Sequence, residues 1–404
     1  MRQFNNVAAA TPVQGSQPPD YAAARRWLWR VLVVLVVGAW AGTTWDTIWH
    51  ATVPFDGFWS PPHLVAYVTV AVVAIIVMCM LFTPTLRRAF GRGFTLRVLP
   101  FKVPGALFIL GMGLVLLGFA GAVLDNLWHT AFGLNETGWS FPHAMIGWSL
   151  NLVALGVIAC RLAMLHVKPM PWTTTALLAG LTSFLLMISI LGPVGSNRTP
   201  ESVDFLYTYI PGLVSQEPAQ NVFRIYDSWN LNRTNPVLLL LAPLALGLIL
   251  GWVRRLDGRW WMTILIMSIV LALDTGNQDL THLIAQFVPG YGLEPNWRAL
   301  PVVMPTILLL LLVRLGLSER LAYAAAGILF SLMIFDIWRG TLHAWVLAPL
   351  AAPLILLGKR LGERLHGILI QPWSFRTVLP LVASAAVIPA ITGVVDLALR
   401  IFTP

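Results

Sequence analysis

Charge is scarce in this sequence. Only 11% of its 404 residues are Asp, Glu, Lys or Arg, against about 25% in an ordinary soluble chain. Cysteine is scarcer still. Cys79 and Cys160 both fall inside apolar runs, so neither a disulfide framework nor a thiolate metal site is expected. Lys and Arg are absent from residues 51–62 and 131–142. Residues 1–24, rich in Ala, Gln and Pro, hold no apolar stretch of signal-peptide type. They read as a disordered cytoplasmic tail, which leaves targeting to the first membrane helix.

Hydrophobic residues make up 57% of the chain. Apolar runs of about 20 residues, enough to cross a ~30 Å hydrocarbon core, recur from residue 31 onwards. The fold expected is therefore all-α: a polytopic membrane helix bundle of about 11 transmembrane helices. The spans fall near 27–50, 63–82, 104–130, 143–165, 173–194, 236–253, 260–284, 300–315, 321–338, 342–358 and 377–402. The tail aside, the chain divides into a four-helix repeat region (25–170), a fifth helix with a long outer loop (171–235), and C-terminal membrane helices (236–404).

The basic residues cluster at alternate junctions. Arg25, Arg26 and Arg30 precede the first span, and Arg87, Arg88, Arg92, Arg97 and Lys102 lie between the second and third. Lys168 follows the fourth, Arg254, Arg255 and Arg259 the sixth, and Lys359, Arg360, Arg364 and Arg376 the tenth. Alternating spans put all of these on one side, the cytoplasmic one. The net charge of +9 is thus a topology signal and not a sign of nucleic-acid binding; lipid is the surrounding partner. The amino terminus is expected inside and the carboxyl terminus outside. His166 and His366, among basic residues, are expected to be solvated.

The uncharged outer loops carry an internal repeat. WDTIWHATVPFDGFWSPPH (45–63) places Asp46, His50 and His63 in the spacing D-x3-H-x12-H. LDNLWHTAFGLNETGWSFPH (124–143) places Asp125, His129 and His143 in D-x3-H-x13-H. On a helix, residues i and i+4 share a face. A short loop then brings the next helix alongside, with its histidine in the first turn. Each copy thus gathers one carboxylate and two imidazoles, a facial set with open positions that suits copper, zinc or iron. Ionisable groups at a membrane boundary are costly and mark function. A helix-end His can equally cap carbonyls or bond an Asp one turn away, but that accounts for neither the P-H element nor the recurrence. The tryptophans of these loops (Trp45, Trp49, Trp59, Trp128, Trp139) read as an interfacial aromatic belt.

A weaker echo lies further on. Asp279 and His282, followed by Arg298, and Asp336 and Arg339, followed by His343, occupy the outer ends of spans seven and nine. An arginine repels a cation and pairs with a carboxylate, so these six read as an ion-pair network that supports the metal sites from behind.

The two histidine-bearing segments resemble a membrane subunit of the copper membrane monooxygenases, the particulate methane and ammonia monooxygenases. In that family the subunit has a D-x3-H-x12-H motif with W-H and P-x-H context, and a second motif of the form N-x3-H-x13-H where this chain has Asp125. The resemblance covers roughly residues 40–165. It implies copper at Asp46, His50 and His63, which would hold the catalytic metal, and a second copper-type position at Asp125, His129 and His143. It further implies oxidation of a small apolar substrate (alkane or ammonia class) by dioxygen, a prokaryotic cytoplasmic membrane, and partner subunits of the monooxygenase type or a homo-oligomer. Two readings from other classes stay open: a copper or zinc transport or storage protein, and a zinc or iron enzyme whose two triads form one bimetallic centre.

Overall fold

A computed structural model of the chain describes residues 18–52, 58–91, 93–132, 141–164, 171–195, 236–285, 300–334, 348–370 and 373–402. The architecture is an all-α bundle with one small hairpin. In chain order the elements are α1 (Tyr21–Thr52), α2 (Pro61–Phe82), α3 (Pro84–Ala89), β1 (Gly93–Thr95), β2 (Lys102–Pro104), α4 (Gly105–Phe119), a π-helical segment (Ala120–Leu124), α5 (Asp125–Phe132), α6 (Phe141–Ala163) and α7 (Trp172–Gly195). Then come α8 (Pro236–Leu256), α9 (Trp260–Ala285), α10 (Leu300–Arg314), α11 (Glu319–Ile334), a 3-10 turn (Ala348–Leu350), α12 (Ala351–Ile370) and α13 (Phe375–Phe402). Among the described residues three helical stretches are long and apolar enough to cross a bilayer: Pro61–Phe82, Gly105–Trp128 and Phe141–Ala163. Shorter apolar helices cover Trp260–Leu273, Val303–Arg314 and Phe375–Ile391. Along α2 the exposed Val68, Val72, Ile75, Met78 and Phe82 form the apolar face that lipid would cover.

Two expected boundaries are corrected. The tail does not extend to residue 24: α1 begins at Tyr21, after Pro18 and Pro19, and Ala23 N–H donates to Asp20 Oδ1 at 2.9 Å. That carboxylate satisfies one of the free amides of the first turn. The basic junction between α2 and α4 has structure of its own. It folds into α3 and the antiparallel pair β1–β2, registered Gly93 to Pro104 and Thr95 to Lys102, once Gly91 at φ +91° has turned the chain out of α3. Lastly, hydropathy predicts a helix over 342–358 that stops at the first charges. Instead α12 runs over Ala351–Ile370 and carries Lys359, Arg360, Glu363, Arg364 and His366 on helix. Apolar content alone cannot find such an end, because the charged turns are held by side-chain pairing.

That pairing is a network. Lys359 Nζ lies 2.9 Å from Glu363 Oε1 and 3.5 Å from Glu319 Oε2, while Arg254 Nε and Arg255 Nε stand 3.6 Å from Glu319 and Glu363. It ties α8, α11 and α12 together over the fully buried Tyr323, whose ring sits 5.4 Å from the Lys359 ammonium. His366, expected to be solvated, is half-buried, and burial together with the Arg255 charge holds its imidazole below the usual range. Both cysteines are free thiols.

Glycine sets the helix spacing. A Cβ on Gly247 or Gly251 of α8 would come within 2.9 Å of Ile355 C or 2.8 Å of Lys359 Cα on α12. One on Gly358 or Gly362 of α12 would meet Leu248 N at 2.9 Å or Trp252 N at 2.8 Å on α8. Two small-x3-small faces thus interlock, backbone on backbone. The same device joins α4 to α6, through Gly113 against Val153 N (2.7 Å) and Gly156 against Leu110 N (2.6 Å). Within lipid, close van der Waals approach replaces the hydrophobic drive that folds soluble bundles.

Gly251→Ala is expected to cost about 2 kcal/mol, because backbone must move to admit the methyl. Gly367→Ala on α12, where an added Cβ meets nothing within 4 Å, is expected to cost nothing; thermal unfolding in detergent compares the two. Because His366 is held below its unfolded value of about 6.5, its contribution to stability is full above that pH and is lost as pH falls through the lower folded value. His366→Gln is expected to flatten the loss of stability between pH 7 and pH 5, measured in the same assay.

Candidate metal centre

The two Asp/His/His sets lie where α1 meets α2 and where α5 meets α6. His63 is the third residue of α2 and His143 the third of α6, and each follows a proline in the first helical turn. Proline suits that position because its missing N–H would be unpaired there anyway. Ser60, just ahead of α2, is buried. Asp46 and His50 stand on α1, four and eight residues beyond Gly42, whose position faces Val65 of α2. The side chains of Asp46, His50 and His129 lie outside the described residues.

The second set comes together in part. His143 Nε2 lies 3.3 Å from Asp125 Oδ1, with the Asp125 side chain 13% exposed and that of His143 32%. Residues 133–140 separate the two helices in sequence, so the contact is tertiary. It depends on the π segment. Gly105 to Phe132 is one continuous helical rod, and the wider turn at Ala120–Leu124 rotates everything after it, starting with Asp125. One extra residue in a turn swings the following side chains by about 100°.

The π segment also meets the first set's helix. Tyr67 of α2, one turn beyond His63, donates its hydroxyl to Gly121 O at 3.3 Å. The Tyr67 ring lies 6.2 Å from His63 and 5.2 Å from Phe58. On the other side of the rod, Gly121 faces Ile146 of α6 at 3.8 Å. His63, Tyr67, Asp125 and His143 therefore belong to one end of the bundle, around one rod. Trp45 and Trp59 are exposed there.

The donors suit a metal. With ligand bonds of about 2.0–2.2 Å, two atoms on a tetrahedral centre stand about 3.3–3.6 Å apart, which is the Asp125–His143 spacing. Among the described residues, no group of three or more His, Cys, Asp or Glu side chains gathers in this way; His129, the third member, has its side chain outside them. The weaker echo is not described either. Asp279 and His282 lie on α9 with side chains outside the described residues, and Arg298, Asp336, Arg339 and His343 fall in undescribed segments, as does His166. Sequence reading missed Tyr67, although its i+4 spacing from His63 was available as a signal, and it missed the π segment, which AGAVL does not announce. No family model, curated protein or solved structure matches this chain.

Tyr67→Phe removes one long hydrogen bond and is expected to cost about 0.5 kcal/mol. Tyr67→Ala also removes the ring between Phe58 and His63 and is expected to cost about 2 kcal/mol. Equal losses for the two variants in thermal unfolding would mean that the hydroxyl alone ties α2 to the rod.

Proposed function

We propose that this chain is a copper-dependent membrane monooxygenase-like protein that oxidises a small apolar substrate of the alkane or ammonia class with dioxygen. The observation that carries the reading is the approach of Asp125 Oδ1 and His143 Nε2 to 3.3 Å across two helices, within a motif whose spacing resembles that of the family's histidine-bearing membrane subunit. Its setting is a polytopic bundle of about 11 spans in a prokaryotic cytoplasmic membrane, amino terminus inside, with both sets of the two-helix repeat at the outer face. Asp46, His50 and His63 would hold the catalytic metal, and Asp125, His129 and His143 a second one. Copper supplies the one-electron chemistry with dioxygen that side chains lack.

The chain's own residues do the rest. Asp125 and His143 offer one anionic and one neutral donor from rigid helices, and Tyr67 fixes the rod that carries Asp125 relative to the helix that carries His63. The surrounding apolar faces admit an apolar substrate and exclude water. Below His143, α6 buries Ser149 and Asn151 and then runs apolar and buried from Leu152 to Cys160. That dry stretch favours an enzyme over an ion path along this helix. Partner subunits of the monooxygenase type, or further copies of this chain, would complete the assembly.

Elemental analysis of the protein in detergent tests the reading. Copper is expected, with one equivalent lost on Asp125→Ala or His143→Ala and another on His50→Ala or His63→Ala. Tyr67→Phe is expected to weaken copper binding about tenfold, as loss of a group that orients a ligand does. Zinc or iron instead of copper would favour the bimetallic alternative, and retention of full copper content in all four alanine variants would exclude both sets as ligands.

A further inference from the structure

Arg161 is the strongest feature that the outer site leaves unexplained. It lies in the last turn of α6, at the opposite end from His143, and is only 5% exposed. Its Nη2 donates to Thr175 Oγ1 at 3.2 Å, whereas its Nε is buried without a hydrogen-bond partner. No carboxylate among the described residues pairs with it. The charge that reaches it is another cation, Arg25 of α1, and Asp20, the nearest acid to Arg25 in sequence, caps α1 instead. The undescribed segments that adjoin these helices, residues 1–17 and 165–170, contain no Asp or Glu.

The local dipoles do not supply the missing charge. The carboxyl end of α6 offers about half a negative charge, and the amino end of α7, where Thr175 sits in the first turn, offers about half a positive one. These cancel. Two whole positive charges remain, one of them almost fully buried, and burying an uncompensated charge costs several kcal/mol. Arg25, Arg26 and Arg30 mark this end as cytoplasmic by the distribution of basic residues.

We infer that Arg161, Arg25 and the amino end of α7 form a phosphate-binding site at the inner membrane face, for a phosphoryl group carried by an anionic lipid or free in solution. The guanidinium fork of Arg161 matches phosphate oxygens two at a time, and its orphan Nε–H is the unused half of that fork. First-turn amides of α7 add further donors. Basic pockets between helices on the cytoplasmic side commonly hold lipid headgroups in this way.

The test uses the full chain in nanodiscs and reads the unfolding temperature. Discs of phosphatidylcholine alone, of phosphatidylcholine with phosphatidylglycerol, and of phosphatidylcholine with added inorganic phosphate are compared. Occupation well above Kd is expected to raise Tm by about 3 °C. A rise only with phosphatidylglycerol assigns the site to a lipid headgroup, and a rise with inorganic phosphate assigns it to a soluble anion. Arg161→Gln is expected to abolish the rise, while Arg97→Gln, an exposed cation on the same face, keeps it. If Arg161→Gln does not fold, the half-buried Arg25→Gln is expected to lose most of the rise. An unchanged Tm for the unmodified chain in all three discs, or an Arg161→Gln or Arg25→Gln protein that responds like it, would overturn the inference.

Discussion

Backbone-to-backbone contact through glycine is the constraint on which the rest of this structure depends. In lipid, two leucine-rich helices gain nothing by hiding apolar surface from water, so contact must come from shape. Gly113 and Gly156 let α4 and α6 approach until main-chain atoms meet. The rod that carries Asp125 and the helix that carries His143 are this same pair. A methyl at either glycine would push the helices apart by more than the slack in a 3.3 Å contact. The Asp125–His143 contact is therefore held by notches about 12 residues earlier on the rod, not by its own polar atoms. Gly247, Gly251, Gly358 and Gly362 do the same for α8 and α12.

The π segment adds the second condition. Helices locked by glycine notches have a fixed rotational setting, and side chains beyond the notch fall where the 3.6-residue period puts them. Ala120–Leu124 breaks that period after the lock and before Asp125. Wide turns of this kind cost hydrogen-bond quality and recur where function repays it. Here the accommodation is visible: Gly121, within the wide turn, accepts from Tyr67 of α2 and leaves room for Ile146 of α6. Three helices converge on the residue that sits four before Asp125.

Much of this was legible in the sequence, and the rest was not for definite reasons. Helical character, three apolar stretches long enough to cross a bilayer and the approach of Asp125 to His143 followed from periodicity and from the motif spacing. The extent of α12 did not, because hydropathy ends a span at Lys359 while the Lys359–Glu363 pair and the Gly358–Gly362 face carry the helix on to Ile370. The small-x3-small pairs were readable in LALGLILG and LLGKRLGE, but which helices they join is a matter of tertiary contact. The half-burial of His366 was hidden for the same reason. The π segment had no sequence mark at all: a five-residue wide turn and a regular turn of Ala, Gly, Val and Leu look alike until helices are brought alongside.

Helix α6 carries the deepest consequence. It begins with His143 at the end that gathers carboxylate and imidazole, and it ends with Arg161 at the end that gathers guanidinium groups. Between them Leu152 to Cys160 is apolar and buried against its neighbours. That stretch offers no charged or hydroxyl side chain, and its glycine lock to α4 opposes sliding. The two ends are thus separated by a low-dielectric span that keeps the Arg161 guanidinium at one end and the Asp125–His143 contact at the other. A cation placed beside Asp125 would compete for its carboxylate, and residues 131–142, which follow the rod, contain no Lys or Arg, whereas a cation at the Arg161 end meets other cations and the anions they attract.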